Sequence, residues 1–137
     1  MLLGHRANPD VATVLRIARS GLGSLVGSNG VYACASQKEE FGVALLGAMA
    51  TGLYVVAPNA GGLATFVEEG LTGSIADTSS VVDVRQALRR AVAARADEPR
   101  ARRTANVVRS RYTIEAMAAS LSVLYTDVVR EPAEVAA

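Results

Sequence analysis

The chain has no tryptophan, one cysteine, one histidine and one lysine in 137 residues, and its only aromatic side chains are four tyrosines and two phenylalanines. Each scarcity removes a class. A lone Cys34 allows no internal disulfide framework and no multi-cysteine zinc site. A lone His5 excludes two-histidine metal motifs and leaves little room for a Ser-His-Asp triad. No apolar run approaches the roughly 20 residues that cross a bilayer, so no membrane span is expected. No basic segment followed by a long apolar stretch opens the chain, so no signal peptide is read and a cytoplasmic location is expected. Charge of one sign is also missing: 14 basic and 13 acidic residues leave a net +1. A general nucleic-acid binder carries a larger excess, and no aromatics interleave with the arginines for base stacking, so no nucleic-acid partner is expected. The P-loop and the strict glycine-rich dinucleotide fingerprint are absent.

What is present is half apolar, with a mean hydropathy of +0.26, enough for one core in one domain. Helical spacing of Val11, Val14, Leu15, Ile17 and Ala18 follows Asn8-Pro9-Asp10, where Asn8 or Asp10 could cap and Pro9 suits the first turn. Val31–Ala35 reads as a buried strand, Phe41–Thr51 as a helix closed by Gly52, and Tyr54–Ala57 as a second buried strand. Gly61-Gly62 opens a short helix carrying Leu63, Phe66 and Val67. Ser74–Asp77 reads as a third strand. Three helices then follow: Val81 to about Ala96, with Val84, Leu88, Ala91 and Val92 on one face, then Pro99–Arg111, then Thr113 to about Val129. Residues 131–137 read as a frayed tail. Strands alternating with helices predict an α/β fold, and nearly continuous apolar strands predict a parallel sheet covered on both faces. The last helices are expected to form a helical cap. Met1–Gly4 reads as a further strand without a lead-in, which suggests that the natural domain begins upstream.

In such a sheet, ligands bind beyond the carboxyl ends of the strands. Two loops, Ser36–Gly42 and Pro58–Gly62, fall there. Each places backbone N–H groups at a helix start, where partial positive charge favours phosphate. Gly42, Gly61 and Gly62 let a ligand approach closely, and Glu39 and Glu40 could accept hydrogen bonds from sugar hydroxyls. The bland readings stand beside these: a Gly-Gly pair as a plain turn, Glu40 as a solvated partner of the helix dipole, Cys34 as an apolar filler, and nine arginines from Arg85 to Arg111 as solvated helix faces.

The stretch from Val31-Tyr32-Ala33-Cys34-Ala35-Ser36 through Glu39-Glu40-Phe41-Gly42-Val43-Ala44-Leu45-Leu46-Gly47-Ala48-Met49-Ala50-Thr51-Gly52 closely resembles the donor-site signature of retaining GT-B glycosyltransferases, the group 1 family. The likeness continues through Asn59-Ala60-Gly61-Gly62, Val67-Glu68-Glu69-Gly70-Leu71-Thr72-Gly73, Arg111-Tyr112-Thr113 and Leu124-Tyr125. It covers about residues 1–130 and implies the Rossmann-like C-terminal half of the GT-B fold, truncated at its N-terminus. By that resemblance residues 1–130 would form a nucleotide-sugar-binding domain that moves a hexose from a UDP- or GDP-linked donor to an acceptor hydroxyl. Glu39 would bind donor-sugar hydroxyls, backbone around Phe41 and Gly42 would face the sugar, and the amides of Val43 and Ala44 would face the diphosphate. The base would lie near Gly4-His5-Arg6, with Arg6 among the binding residues. No catalytic residue, metal or cofactor beyond the nucleotide-sugar substrate is implied.

Three departures stand out. The family's ribose-binding glutamate, eight positions after the first, is replaced by Gly47. Tyr54 stands where the family often has proline. The acceptor-binding domain and its basic residues would lie upstream of Met1. An inactive remnant or fragment, and a nucleotide-sugar-binding module acting with a separate acceptor domain, are the alternatives. Gly47 could also be a glycine forced by a close-packed neighbour.

Overall fold

A computed structural model describes residues 4–130. The elements run α1 (Asn8–Ser20), β1 (Val31–Ala33), α2 (Val43–Ala50), β2 (Tyr54–Pro58), a single 3-10 turn (Leu63–Thr65), β3 (Gly73–Ala76), α3 (Val81–Ala94), α4 (Glu98–Arg111) and α5 (Ile114–Arg130). The three strands form a parallel sheet in the order β1-β2-β3, with Val31 beside Tyr54 and Val55 beside Gly73 in register. The expected α/β architecture is therefore present. Most of the strand expected at Met1–Gly4, and the tail at 131–137, lie outside the described residues.

β2 organises the core. All five of its residues are buried, and its side chains alternate between two apolar layers. Val55 and Ala57 join Leu45, Met49, Leu53, Leu63, Phe66 and Val108 on the α2 and α4 side. Tyr54 and Val56 join Ala76, Ala87 and Ala91 under α3 on the other. This is the period-2 alternation of a strand covered on both faces. Each fully buried aliphatic side chain contributes about 1.5–3 kcal/mol.

Tyr54 ties several elements together. It is 1% exposed. Its hydroxyl donates to the Gly73 carbonyl and lies 2.9 Å from Ser74 Oγ. The Arg100 guanidinium sits over its ring, 5.0 Å from the centroid. Arg100 is itself buried and donates to the carbonyls of Gly52 and Ala94 and to Thr104 Oγ1. Burial lowers the pKa of its guanidinium, and Asp97 opposes the shift.

Several expectations need correction. β1 is not a buried inner strand. It is three residues long, and Ala33 is exposed, because among the described residues β2 pairs with it on one side only. Alternating parallel pairing turns the backbone of Tyr32 toward β2 and that of Val31 and Ala33 outward. The margin at β3 is closed instead: the Glu69 carboxylate accepts the Ile75 amide and Gly70 N–H donates to the Gly73 carbonyl. The α1 N-cap is Ala7, with no side-chain hydrogen bond, because Asn8 is already the first helical residue. On α3 the buried residues are Ala87 and Ala91, while Val92 is 51% exposed, since only small side chains fit where the helix lies against the sheet. The last three helices follow one another with no strand between them, as expected. α3 covers the sheet, α4 lies against α2, and α5 extends from α4 with Ile114, Met117, Leu124 and Val128 more than half exposed.

Candidate functional site

The start of α2 is built by a left-handed glycine. Gly42 is the N-cap at φ 73° and ψ 46°, a conformation that costs an L-residue about 1–2 kcal/mol. A Cβ there would also meet Leu63 Cδ2 at 2.5 Å, so the end of that leucine would have to shift. No side chain caps the helix, and its first turn holds no acidic residue. The Gly42 amide donates to Glu39 Oε1 at 3.2 Å. That leaves the amides of Val43 and Ala44, both exposed residues, among the helix-start N–H groups that have no intrahelical acceptor. Partial positive charge thus faces solvent directly beside a carboxylate.

Glu39 is held by its backbone. Its amide donates to the Ala60 carbonyl and its carbonyl accepts from Gly62 N–H, at 3.1 and 3.2 Å. Gly61 lies so close to this crossing, at φ 106°, that a Cβ would stand 2.0 Å from the Glu39 oxygen. The second loop therefore clamps the first. The Gly62 amide is already used, and the helix expected after it is one 3-10 turn. Glu40 points into solvent and pairs with Lys38.

The structure gathers Val43, Ala44 and Gly47 on one wall of a groove of about 670 Å³, faced by Asn8, Val11 and Leu15 of α1. Gly47 is not forced by crowding, since its added Cβ would meet only Leu15 Cδ1, at an ordinary 3.6 Å. Phe41 is 56% exposed, and its ring lies 6.4 Å from that of Phe66. His5 and Arg6 are exposed before α1, and Arg6 makes no hydrogen bond or ion pair among the described residues. Glu39, Phe41, Gly42, Val43, Ala44 and Gly47 thus share α2 and the loop before it, and Arg6 lies on a different segment, before α1.

Sequence reasoning gave no site role to Leu63, whose side chain abuts Gly42, or to Tyr32. Burial raises the Tyr32 phenol pKa, and the neighbouring Cys34 and Glu39 add to the shift. Cys34 is a free, half-buried thiol beside the first core layer. Among the described residues no three His, Cys, Asp or Glu side chains come together to hold a metal ion, and no helix is long and apolar enough to cross a membrane.

Residues 3–109 match the family described as glycosyl transferases group 1. Among solved structures, the chain is similar to sucrose-phosphate synthase from Thermosynechococcus elongatus, at 27% identity and a TM-score of 0.65 over 74% of this chain. The match spans only 26% of the length of that synthase chain. Among curated proteins nothing matches.

Proposed function

The chain belongs to the glycosyl transferases group 1 family, and on that premise we propose that residues 1–130 form the wall of a retaining glycosyltransferase that holds the sugar donor. The diphosphate of a UDP- or GDP-linked hexose lies on the amides of Val43 and Ala44. Glu39 accepts hydrogen bonds from donor-sugar hydroxyls, backbone at Phe41 and Gly42 faces the sugar, and the base lies toward His5 and Arg6. In the reaction the bond from the anomeric carbon to the diphosphate oxygen breaks. The acceptor hydroxyl oxygen bonds to that carbon with retention and gives up its proton. Negative charge grows on the departing diphosphate, where fixed N–H donors are most effective. The acceptor side of the cleft comes from polypeptide beyond this unit, in keeping with the small share of the synthase chain that the match spans.

One observation carries this reading: left-handed Gly42 leaves open amides directly beside the Glu39 carboxylate. Calorimetric titration with a panel of UDP- and GDP-sugars tests it. Wild type binds at least one donor, and Glu39→Ala weakens that binding. Unchanged affinity in the variant would sink the assignment.

Gly47 favours a second reading, a donor-binding module or remnant without turnover of its own. The position has room for a side chain and holds no carboxylate to grip a ribose. Both readings expect at most slow donor hydrolysis by the purified chain, because one wall cannot hold donor and acceptor in reacting geometry. Sugar transfer at an ordinary enzymatic rate by the chain alone would overturn them.

A further inference from the structure

At the opposite end of α2 lies a second concavity, about 570 Å³, between α1 and α4. Its floor is Ala50, Thr51 and Gly52, and its sides carry Arg16 and Arg19 from α1 and Arg102 and Arg109 from α4. Arg102, Asn106 and Arg109 stand at i, i+4 and i+7, which is one face of a helix. Arg16 and Arg19, three apart, do the same on α1. The one carboxylate in the lining is Glu98, and Arg19 already engages it. Arg19 also donates to Asn29, so it is held in place. Arg16, Arg102 and Arg109 have no carboxylate within ion-pair reach among the described residues.

A helix C-terminus would ordinarily repel an anion. Here two of its last carbonyls, and that of Gly52 just beyond, are occupied. The Ala48 oxygen accepts from the amides of Thr51 and Leu53 and from Thr51 Oγ1, the Met49 oxygen accepts from Gly52 N–H, and the Gly52 oxygen accepts from Arg100. The trough is thus lined by four arginines, with Ser20, Thr51 and Asn106 beside them and one carboxylate already paired; of the four, Arg16 donates to Thr13 Oγ1 and Arg19 to Glu98 and Asn29.

We propose that this trough binds a ligand bearing a phosphomonoester or diphosphate group, at a site separate from the start of α2. Guanidinium groups recognise phosphate oxygens through paired N–H donors, and several converging from two helices suit a compact, multiply charged group. The same chemistry could be carried by a soluble phosphate compound or by an anionic lipid headgroup.

The test uses the purified chain with two probes, inorganic pyrophosphate and vesicles of phosphatidylcholine containing phosphatidic acid. Wild type binds pyrophosphate, more weakly as salt rises. The double variant Arg102→Gln/Arg109→Gln loses at least about tenfold in affinity, the scale of one charge-assisted hydrogen bond. Both side chains belong to exposed residues, so the variant keeps the wild-type circular dichroism. The pair Arg102→Lys/Arg109→Lys keeps the charge without the planar fork and falls between the two. Arginine-dependent vesicle binding that pyrophosphate displaces identifies a headgroup; pyrophosphate binding without vesicle binding identifies a soluble ligand. Neither probe binding, or binding unchanged in the glutamine variant, overturns the proposal. So does single-stranded RNA that binds and is not displaced by pyrophosphate.

Discussion

The first and last residues of α2 are finished by different means. At Val43 no side chain closes the helix, its first turn has no acidic residue, and the exposed donors are backbone amides set in place by a left-handed glycine. At Ala50, about 10 Å along the axis, the Ala48 and Met49 carbonyls are taken up by local amides and a threonine hydroxyl, a buried arginine holds that of Gly52, and full charges stand around them on other helices. Fixed partial charge at one end and long cationic side chains at the other are two routes to the same preference for anions. They fail differently. Backbone donors are lost only when the fold is disturbed, whereas guanidinium groups can be removed one at a time with the fold intact.

Substitution at Gly42 separates the two ends most sharply. Gly42→Ala combines the left-handed penalty with overlap against Leu63, and we expect about 2–4 kcal/mol of destabilisation in denaturant melts. Wild-type stability in that variant would mean that the α2 start is not set by this residue. Next comes Glu39→Ala, which should weaken nucleotide-sugar binding by about 1.5–3 kcal/mol, as for loss of a charged hydrogen-bond partner.

Gly47→Glu follows. The space beside Leu15 removes the expectation of a clash, so the variant should be more stable by several tenths of a kcal/mol. It should also tighten nucleotide binding by about 1–3 kcal/mol if a ribose lies there. Melting temperature and affinity measured on the same protein read the two effects apart, and a lower melting temperature would restore a packing role for this glycine. At the other end of α2, Arg102→Gln/Arg109→Gln should change stability by no more than about 0.5 kcal/mol, as for exposed surface positions.

The smallest effect concerns a helix started by side chains. Before α3, the Ser79 hydroxyl and amide hold the Asp77 carboxyl below its ordinary value of 3.8, and Ser80 Oγ accepts the Asp83 amide. A lowered carboxyl stabilises the fold above its ordinary pKa, and that contribution disappears as pH falls through the folded value. Amide protection factors in the first turn of α3, corrected for the intrinsic pH dependence of exchange, should fall on acidification into that range, and Asp77→Asn should flatten the response.

The strand and helix order was legible from apolar spacing and turn residues, whereas the cluster from Glu39 to Gly47 was legible only through the resemblance of one contiguous stretch to the family's donor-site signature. The arginine trough was not legible. Arg16 and Arg102 stand far apart in sequence, and helical spacing shows which residues share a face but not which faces meet. Nor does an apolar run disclose how many neighbours a strand has, which is why Val31–Ala35 reads as an inner strand. The pair Gly61-Gly62 fits a phosphate loop equally well on local grounds. Only the crossing at Glu39 shows that the Gly62 amide is already engaged.

The unequal margins of the sheet bear on how copies of this domain can associate in concentrated solution. Bare strand margins are the usual template for intermolecular pairing and aggregation. Among the described residues Val31 and Ala33 turn such a margin outward, while Glu69 and Gly70 occupy the one beyond β3. A carboxylate fixed on the Ile75 amide puts charge at that second margin, which discourages a further strand from adding there.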